Sequence, residues 1–350
     1  MPTLFDSLTL GDLTLKNRIV MAPLTRCRAD EGRVPNALMA EYYAQRSSAG
    51  LILTEATSVT PMGVGYPDTP GIWSEPQVEG WKQVSDAVHK AGGSIFLQLW
   101  HVGRISDPVY LNGESPVAPS AVRPAGHVSL VRPKKAYVDP RALTLDEIKE
   151  IVEAYRQGAV NAKAAGFDGV HIHGANGYLL DQFLQDKTNL RDDEYGGSLE
   201  NRGRLLLEVT DACIGVWGRG RVAVHLAPRM DAHDMGDSNR IETFSYIASK
   251  LGERGIAFIS TREHAAEDSI TPLLKQKFGG AVIANERFSK AQANQWLKEG
   301  KADAIAFGIP FIANPDLPKR LELDAELNSP RSELFYGQGE EGYTDYPALI

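Results

Sequence analysis

The sequence predicts an α/β protein of the (β/α)8, or TIM, barrel class, with an N-terminal β-hairpin plug and a long lid excursion after the third strand. Three observations carry this. Eight short β-branched runs recur along 350 residues, helical spacing follows most of them, and polar residues collect where the runs end. The runs are Asn17 to Leu24, Gly50 to Ala56, Gly93 to Trp100, Asp168 to His173, Arg221 to Ala227, Ile256 to Thr261, Gly280 to Ala284 and Ala302 to Gly308. Eight is the number that closes a parallel barrel, and such barrels commonly exceed 250 residues as one unit. We therefore expect one domain over residues 1–350, with 102–143 as its lid.

Each connecting segment fits this scheme. Helices are expected over Asn36 to Ser48, Gln77 to Lys90, Thr144 to Ala165, Ser198 to Val216, Glu242 to Arg254, Ile270 to Lys277 and Ser289 to Glu299. The third opens on a capping box, Thr144-Leu145-Asp146-Glu147, and ends at Gly166, where a left-handed cap is expected. Two segments depart from the repeat. Leu4 to Thr14 alternates apolar and polar residues around Gly11-Asp12 and reads as a hairpin plugging the barrel bottom. Val102 to Leu143, rich in Pro, Gly and Ser, is too long for an idle connection and reads as a lid or binding loop.

Composition narrows the function classes. Lys and Arg total 37 against 45 Asp and Glu, a net charge of -8, which argues against nucleic acid or an anionic membrane as partner. Only two cysteines occur, Cys27 and Cys213, without metal-ligand spacing, so neither a metal site nor a disulfide framework is expected. The N-terminus lacks a basic region followed by an apolar run, and we expect a cytoplasmic protein, monomeric or weakly homo-oligomeric.

In barrels of this class the chemistry sits at the C-terminal ends of the strands. Period-two alternation places Gln98 on the same face as Phe96, so if one points inward both do. The fourth run ends His171-Ile172-His173 and turns through Gly174-Ala175-Asn176-Gly177-Tyr178. His171, one pleat below His173, reads as a core residue.

Five segments then resemble the successive signatures of the old yellow enzyme family. They are Met21-Ala22-Pro23-Leu24-Thr25-Arg26, Gln98-Leu99-Trp100-His101-Val102-Gly103-Arg104, His173-Gly174-Ala175-Asn176-Gly177-Tyr178-Leu179-Leu180, Tyr195-Gly196-Gly197-Ser198-Leu199-Glu200-Asn201-Arg202 and Gly342-Tyr343-Thr344-Asp345-Tyr346-Pro347. They stand in the family's order over essentially the whole chain. Within the family the sequence is most similar to bacterial xenobiotic and glycerol trinitrate reductases, and next to N-ethylmaleimide and morphinone reductases.

The resemblance implies an FMN-dependent reductase that takes hydride from NADH or NADPH. By a ping-pong route it would reduce activated alkenes such as enones and maleimides, and nitro compounds or nitrate esters. Phenolic ligands would also bind. The resemblance gives Thr25 a hydrogen bond to flavin O4 and Gln98 a contact on the pyrimidine side. Pro23, Leu24 and Ala56 would shape the flavin floor; Asn285, Phe307 and Gly308 would lie beside the cofactor. His173 and Asn176 would grip the substrate oxygen and Tyr178 would protonate the α-carbon. Tyr66, Trp100 and Tyr343 would wall the substrate pocket, unless packing alone accounts for them.

Two positions depart from the family pattern. Where the family usually has Arg near flavin N1 and O2, this chain has His225; a protonated imidazole would substitute, and Arg229 is the other candidate. Where the family usually has Arg at the FMN phosphate, this chain has Ile309, and Arg287 is the expected replacement. Three rival readings stand beside the reductase: another FMN-barrel dehydrogenase would need a loop Cys or Ser base and flavin-facing Lys, a flavin-free barrel lyase would need a strand-end Lys, and a non-catalytic binding protein would be colourless and take up no FMN.

Overall fold

The computed structural model describes residues 1–229 and 232–349. Eight parallel strands close on themselves: β1 (Ile19–Met21), β2 (Leu51–Leu53), β3 (Ile95–Trp100), β4 (Gly169–His173), β5 (Val222–Leu226), β6 (Phe258–Arg262), β7 (Val282–Asn285) and β8 (Ala304–Phe307). Each pairs with its sequence neighbour, β8 pairs with β1, and β2 pairs with β3 through Ile52 and Ile95. Every expected run holds a strand, with edges trimmed by one to three residues in most cases. β6 and β7 instead each run one residue further than expected, to Arg262 and Asn285.

Alternation along the strands sorts side chains into two cores. Ile19, Ile52, Leu97, Leu99, Val170, Ile172, Val224 and Ile259 face outward and pack under the helices. Val20, Leu51, Phe96, Ala223, Phe258, Ile283 and Ala304 face inward and fill the barrel bottom. The expected hairpin forms between Leu8–Leu10 and Leu13–Leu15, and it sends Leu10 and Leu15 into that inner cluster. A Cβ on Gly11, whose φ is +54°, would lie 2.2 Å from the Gly220 carbonyl oxygen, so the plug turn needs glycine.

The helices are α1 (Ala37–Gln45), α2 (Glu75–Lys90), α3 (Leu145–Ala164), α4 (Leu179–Leu184), α5 (Leu199–Trp217), α6 (Arg240–Arg254), α7 (Thr271–Phe278), α8 (Lys290–Lys298), α9 (Ile309–Ala313) and α10 (Leu317–Glu322). Thr144 and Glu147 make the expected reciprocal cap, and Gly166 has φ +81°. α4, α9 and α10 are additions to the expected set. Each is five or six residues long, too short for a full amphipathic repeat to show.

The excursion between β3 and α3 packs over the barrel mouth. Val117–Ala118 pairs with Arg141–Ala142, and Val128 and Tyr137 pack with Trp100 and Tyr178 at the barrel mouth. Arg104 ties it down by donating to the carbonyls of Val122, His233 and Asp234. Among the described residues no helix is long and apolar enough to cross a membrane.

Candidate active site

Going up the barrel, the inward side chains change from apolar to polar. Above the bottom layer the inward side chains are Gln98, His171, His225 and Ser260, all buried, with Gln98 in register with His171 and His225 with Ser260. Above them opens a cavity of about 500 Å³ at the C-terminal ends of the strands.

Each strand contributes to its lining. β1 and its loop supply Pro23, Leu24 and Thr25, β2 supplies Ala56, and β3 supplies Gln98 and Trp100. His173, Asn176 and Tyr178 come from β4 and the following turn, and His225 from β5. Asn285 and Arg287 follow β7, Phe307 and Gly308 end β8, and Tyr66 closes the wall. These are the expected positions, with one exception. Tyr343 does not line the cavity: its ring stacks on Tyr42 at 4.0 Å and lies 4.4 Å from the Arg28 guanidinium, so it packs the C-terminal segment onto the barrel. Phe335 and Tyr336 from that segment reach the cavity instead.

The turn after β4 is held from behind. Asn176 has φ +57°, a conformation asparagine tolerates, and its carbonyl is bonded to His233 Nδ1 at 2.8 Å. The Gly177 N–H donates to Asp181, and Gln182 donates to the Gly177 and Val102 carbonyls, so α4 braces the loop with two polar side chains. Arg262 lies over Asn176, its Nη1 donating to Oδ1 at 3.4 Å, which leaves the Asn176 amide N–H groups for another acceptor.

Burial decides the protonation states. It pushes the His173 imidazole well below its usual range, so the ring is a neutral donor and not an acid. His173 Nδ1 and Trp100 Nε1 are buried and have no partner among the described residues. The Tyr178 phenol is held well above its usual range by burial and by Tyr66, whose hydroxyl lies 2.8 Å away; it keeps its proton at neutral pH. Burial raises Tyr66 to about 12.

The two altered cation positions come out differently from expectation. His225 is not an imidazolium: burial, with help from the Arg262 guanidinium, pushes its pKa down to about 3. Arg229 is not in the lining, because Asp268 holds it in two hydrogen bonds of 2.7 and 2.6 Å. Arg287 is in the lining, and its guanidinium makes no hydrogen bond or ion pair among the described residues. Glu286 beside it faces Arg262 at 3.5 Å and His264 at 4.0 Å. Arg262 and Glu286 were missed by sequence reasoning. Ending β6 at Thr261 hid that Arg262 shares the inward face of Ser260, which the period of two would have shown.

The NADH:flavin oxidoreductase / NADH oxidase family model matches residues 3–328. The chain belongs to that family. FMN is thus its cofactor and a reduced nicotinamide its electron source. A solved structure of the old yellow enzyme homologue from Zymomonas mobilis is 47% identical and superposes with a TM-score of 0.97, covering 99% of this chain and 100% of that one. Morphinone reductase in complex with tetrahydroNAD is 46% identical at TM-score 0.97, covering 100% and 98%. Among curated relatives, 12-oxophytodienoate reductase 1 of Oryza sativa subsp. japonica is 44% identical over 354 residues, 97% of this chain and 91% of the relative. Flavin oxidoreductase hxnT of Emericella nidulans is 41% identical over 377 residues, 98% and 97%.

The cavity suits the cofactor of the NADH:flavin oxidoreductase family on its own chemistry. A planar heteroaromatic ring needs apolar faces and edge donors, and Ala56, Leu24 and Phe307 supply the first while Thr25, Gln98 and His225 supply the second. The rival barrel chemistries lack their residues, since the lining contains no Lys, Cys or Ser.

Proposed function

We propose that this enzyme reduces electron-poor alkenes and nitro compounds with electrons from NADH or NADPH, both ligands using the same cavity in turn. The observation that carries the reading is that His173, Asn176 and Tyr178 line one cavity with Thr25, Gln98 and His225. The names of the relatives, reductases of 12-oxophytodienoate and of morphinone, support it. When bound, FMN supplies the hydride that it takes from the nicotinamide.

The chain's own residues do the rest. Thr25, Gln98 and His225 would hold the edge of the ring system, and Pro23, Leu24, Ala56, Asn285, Phe307 and Gly308 would seat it. His173 and Asn176 would donate to the carbonyl or nitro oxygen of the substrate, where negative charge builds as hydride adds to the β-carbon. Neutral donors suit this: a neutral N–H stabilises the growing charge without giving up its proton. Tyr178 Oη would then deliver its proton to the α-carbon, and burial is what keeps that proton available. Tyr66, 2.8 Å from Tyr178, positions the phenol, and Trp100, Tyr66 and Tyr336 exclude water. At the phosphate end Arg287 would replace the missing charge at Ile309, since Glu286 pairs with Arg262 rather than with it.

Anaerobic turnover of 2-cyclohexenone tests the reading. Cyclohexanone should form in step with nicotinamide oxidation, giving parallel double-reciprocal plots. Nicotinamide oxidation that occurs only with dioxygen, without any saturated ketone, would contradict it.

A further inference from the structure

Two of the ring-edge residues, Gln98 and His225, are joined beneath the cavity by a line of polar side chains whose inner members, His171 and Ser260, this chemistry does not use. Gln98 Nε2 lies 3.1 Å from His171 Nδ1, His171 Nε2 lies 2.8 Å from Ser260 Oγ, and Ser260 Oγ lies 2.8 Å from His225 Nδ1. All four side chains are buried, and they come from four adjacent strands, with Gln98 in register with His171 and His225 in register with Ser260. Both imidazoles are neutral, since burial pushes His171 well below its usual range and His225 to about 3.

Counting protons gives the line a direction. An amide nitrogen only donates, so His171 Nδ1 accepts and the ring carries its hydrogen on Nε2. That N–H donates to Ser260 Oγ, whose single hydrogen is then spent on His225 Nδ1. His225 therefore carries its own hydrogen on Nε2.

We propose that Gln98, acting through His171 and Ser260, sets the tautomer of His225 so that it presents a neutral Nε2–H donor to the pyrimidine edge of FMN. This rests on the reading that Gln98 and His225 face the ring system. The direction matches the ligand. An isoalloxazine offers an imide N–H between two carbonyls, and Gln98, with its Nε2 turned to His171, presents Oε1 to accept from that imide while His225 donates to the neighbouring acceptor. Reversing the Gln98 amide reverses every bond, and both edge contacts become mismatched. His171 and Ser260 are thus positioning residues, and a neutral donor relay stands where the family usually has a fixed positive charge.

Ring-nitrogen NMR of [15N]histidine-labelled holoenzyme reads the tautomer directly, with His225 assigned by loss of its signals in His225→Gln. His225 should show a protonated Nε2 and an unprotonated Nδ1. Ser260→Ala should introduce the Nδ1–H form and raise the FMN dissociation constant about 2- to 5-fold, the loss of part of one hydrogen bond. Ser260→Thr should restore both. As a second route, Gln98→Glu, an acceptor when ionised, should turn the relay round and move the His225 proton to Nδ1. A wild-type His225 protonated on Nδ1, or a tautomer unchanged in both Ser260→Ala and Gln98→Glu, would overturn the proposal. Protein that binds no FMN would overturn the reading of the site instead, and the tautomer read in that protein still decides the relay.

Discussion

His173 and Tyr178 illustrate how burial assigns roles to two groups in one turn. The imidazole is driven to its neutral form and the phenol is kept protonated, so one offers a hydrogen bond from a ring N–H while the other holds a transferable proton. Replacing His173 by Ala should weaken binding of a phenolic ligand by ~1–3 kcal/mol, the cost of leaving a buried acceptor unpaired. Absorbance titration of the holoenzyme measures it, and unchanged affinity would remove His173 from the oxygen grip. Tyr178→Phe should slow alkene reduction while leaving the nicotinamide half-reaction intact. It should also spare nitro reduction, where the proton goes to oxygen. Stopped-flow rates that fall equally in both halves would mean the ring acts by packing. These residues were legible because they follow one strand within six positions. Tyr343 was misjudged from an equally distinct motif, because a motif does not say which side of a turn faces the ligand. Only the stacking on Tyr42 and the arginines shows that.

At the scale of elements, the barrel was legible wherever burial enforces a period. Eight strands alternate between two apolar cores, and their runs stand out in the sequence. The short helices were not, since α4 is buried on all sides and its LLDQFL shows no polar face. Yet α4 supplies the Asp181 and Gln182 that brace the catalytic turn. The loop after β7 is the least conventional element at the cavity. Glu286 has φ +123° and Arg287 φ +57°, conformations that non-glycine residues hold only at a cost of ~1–3 kcal/mol each. Such strain is retained where the backbone serves a ligand, which on the proposed function would be the phosphate end of the cofactor. Arg287→Ala should therefore yield protein that loses FMN on dilution, and Ile309→Arg in that background should recover retention. Full FMN occupancy in Arg287→Ala would show that backbone N–H groups suffice.

For the whole molecule, buried carboxyls set a pH dependence opposite to the usual one. Burial raises Glu55 and Asp181 each to about 7. The folded state thus keeps protons that the unfolded chain releases near its ordinary carboxyl values. This stability is full below about 4 and is lost as pH rises to about 7. His101 and His225, pushed to about 3, act the other way and lose stability as pH falls below the ordinary imidazole range. Glu55→Gln should therefore reduce the decline in stability between about pH 5 and 7 by ~1–3 kcal/mol, read from denaturant midpoints. A steeper decline would contradict the burial argument. Glu55 also binds the Arg26 backbone and the Tyr43 hydroxyl beside Thr25, so it couples the barrel wall to the cavity. On the proposed function, one cavity at the barrel mouth serves nicotinamide and substrate in turn. Steady-state inhibition by a phenol such as 4-hydroxybenzaldehyde, and by the enone itself, decides whether the two share it. Competition against NAD(P)H by the phenol, and by the enone itself at high concentration, is the predicted result, and a phenol or an enone that does not compete with NAD(P)H, or an enone and nicotinamide bound together, would contradict it.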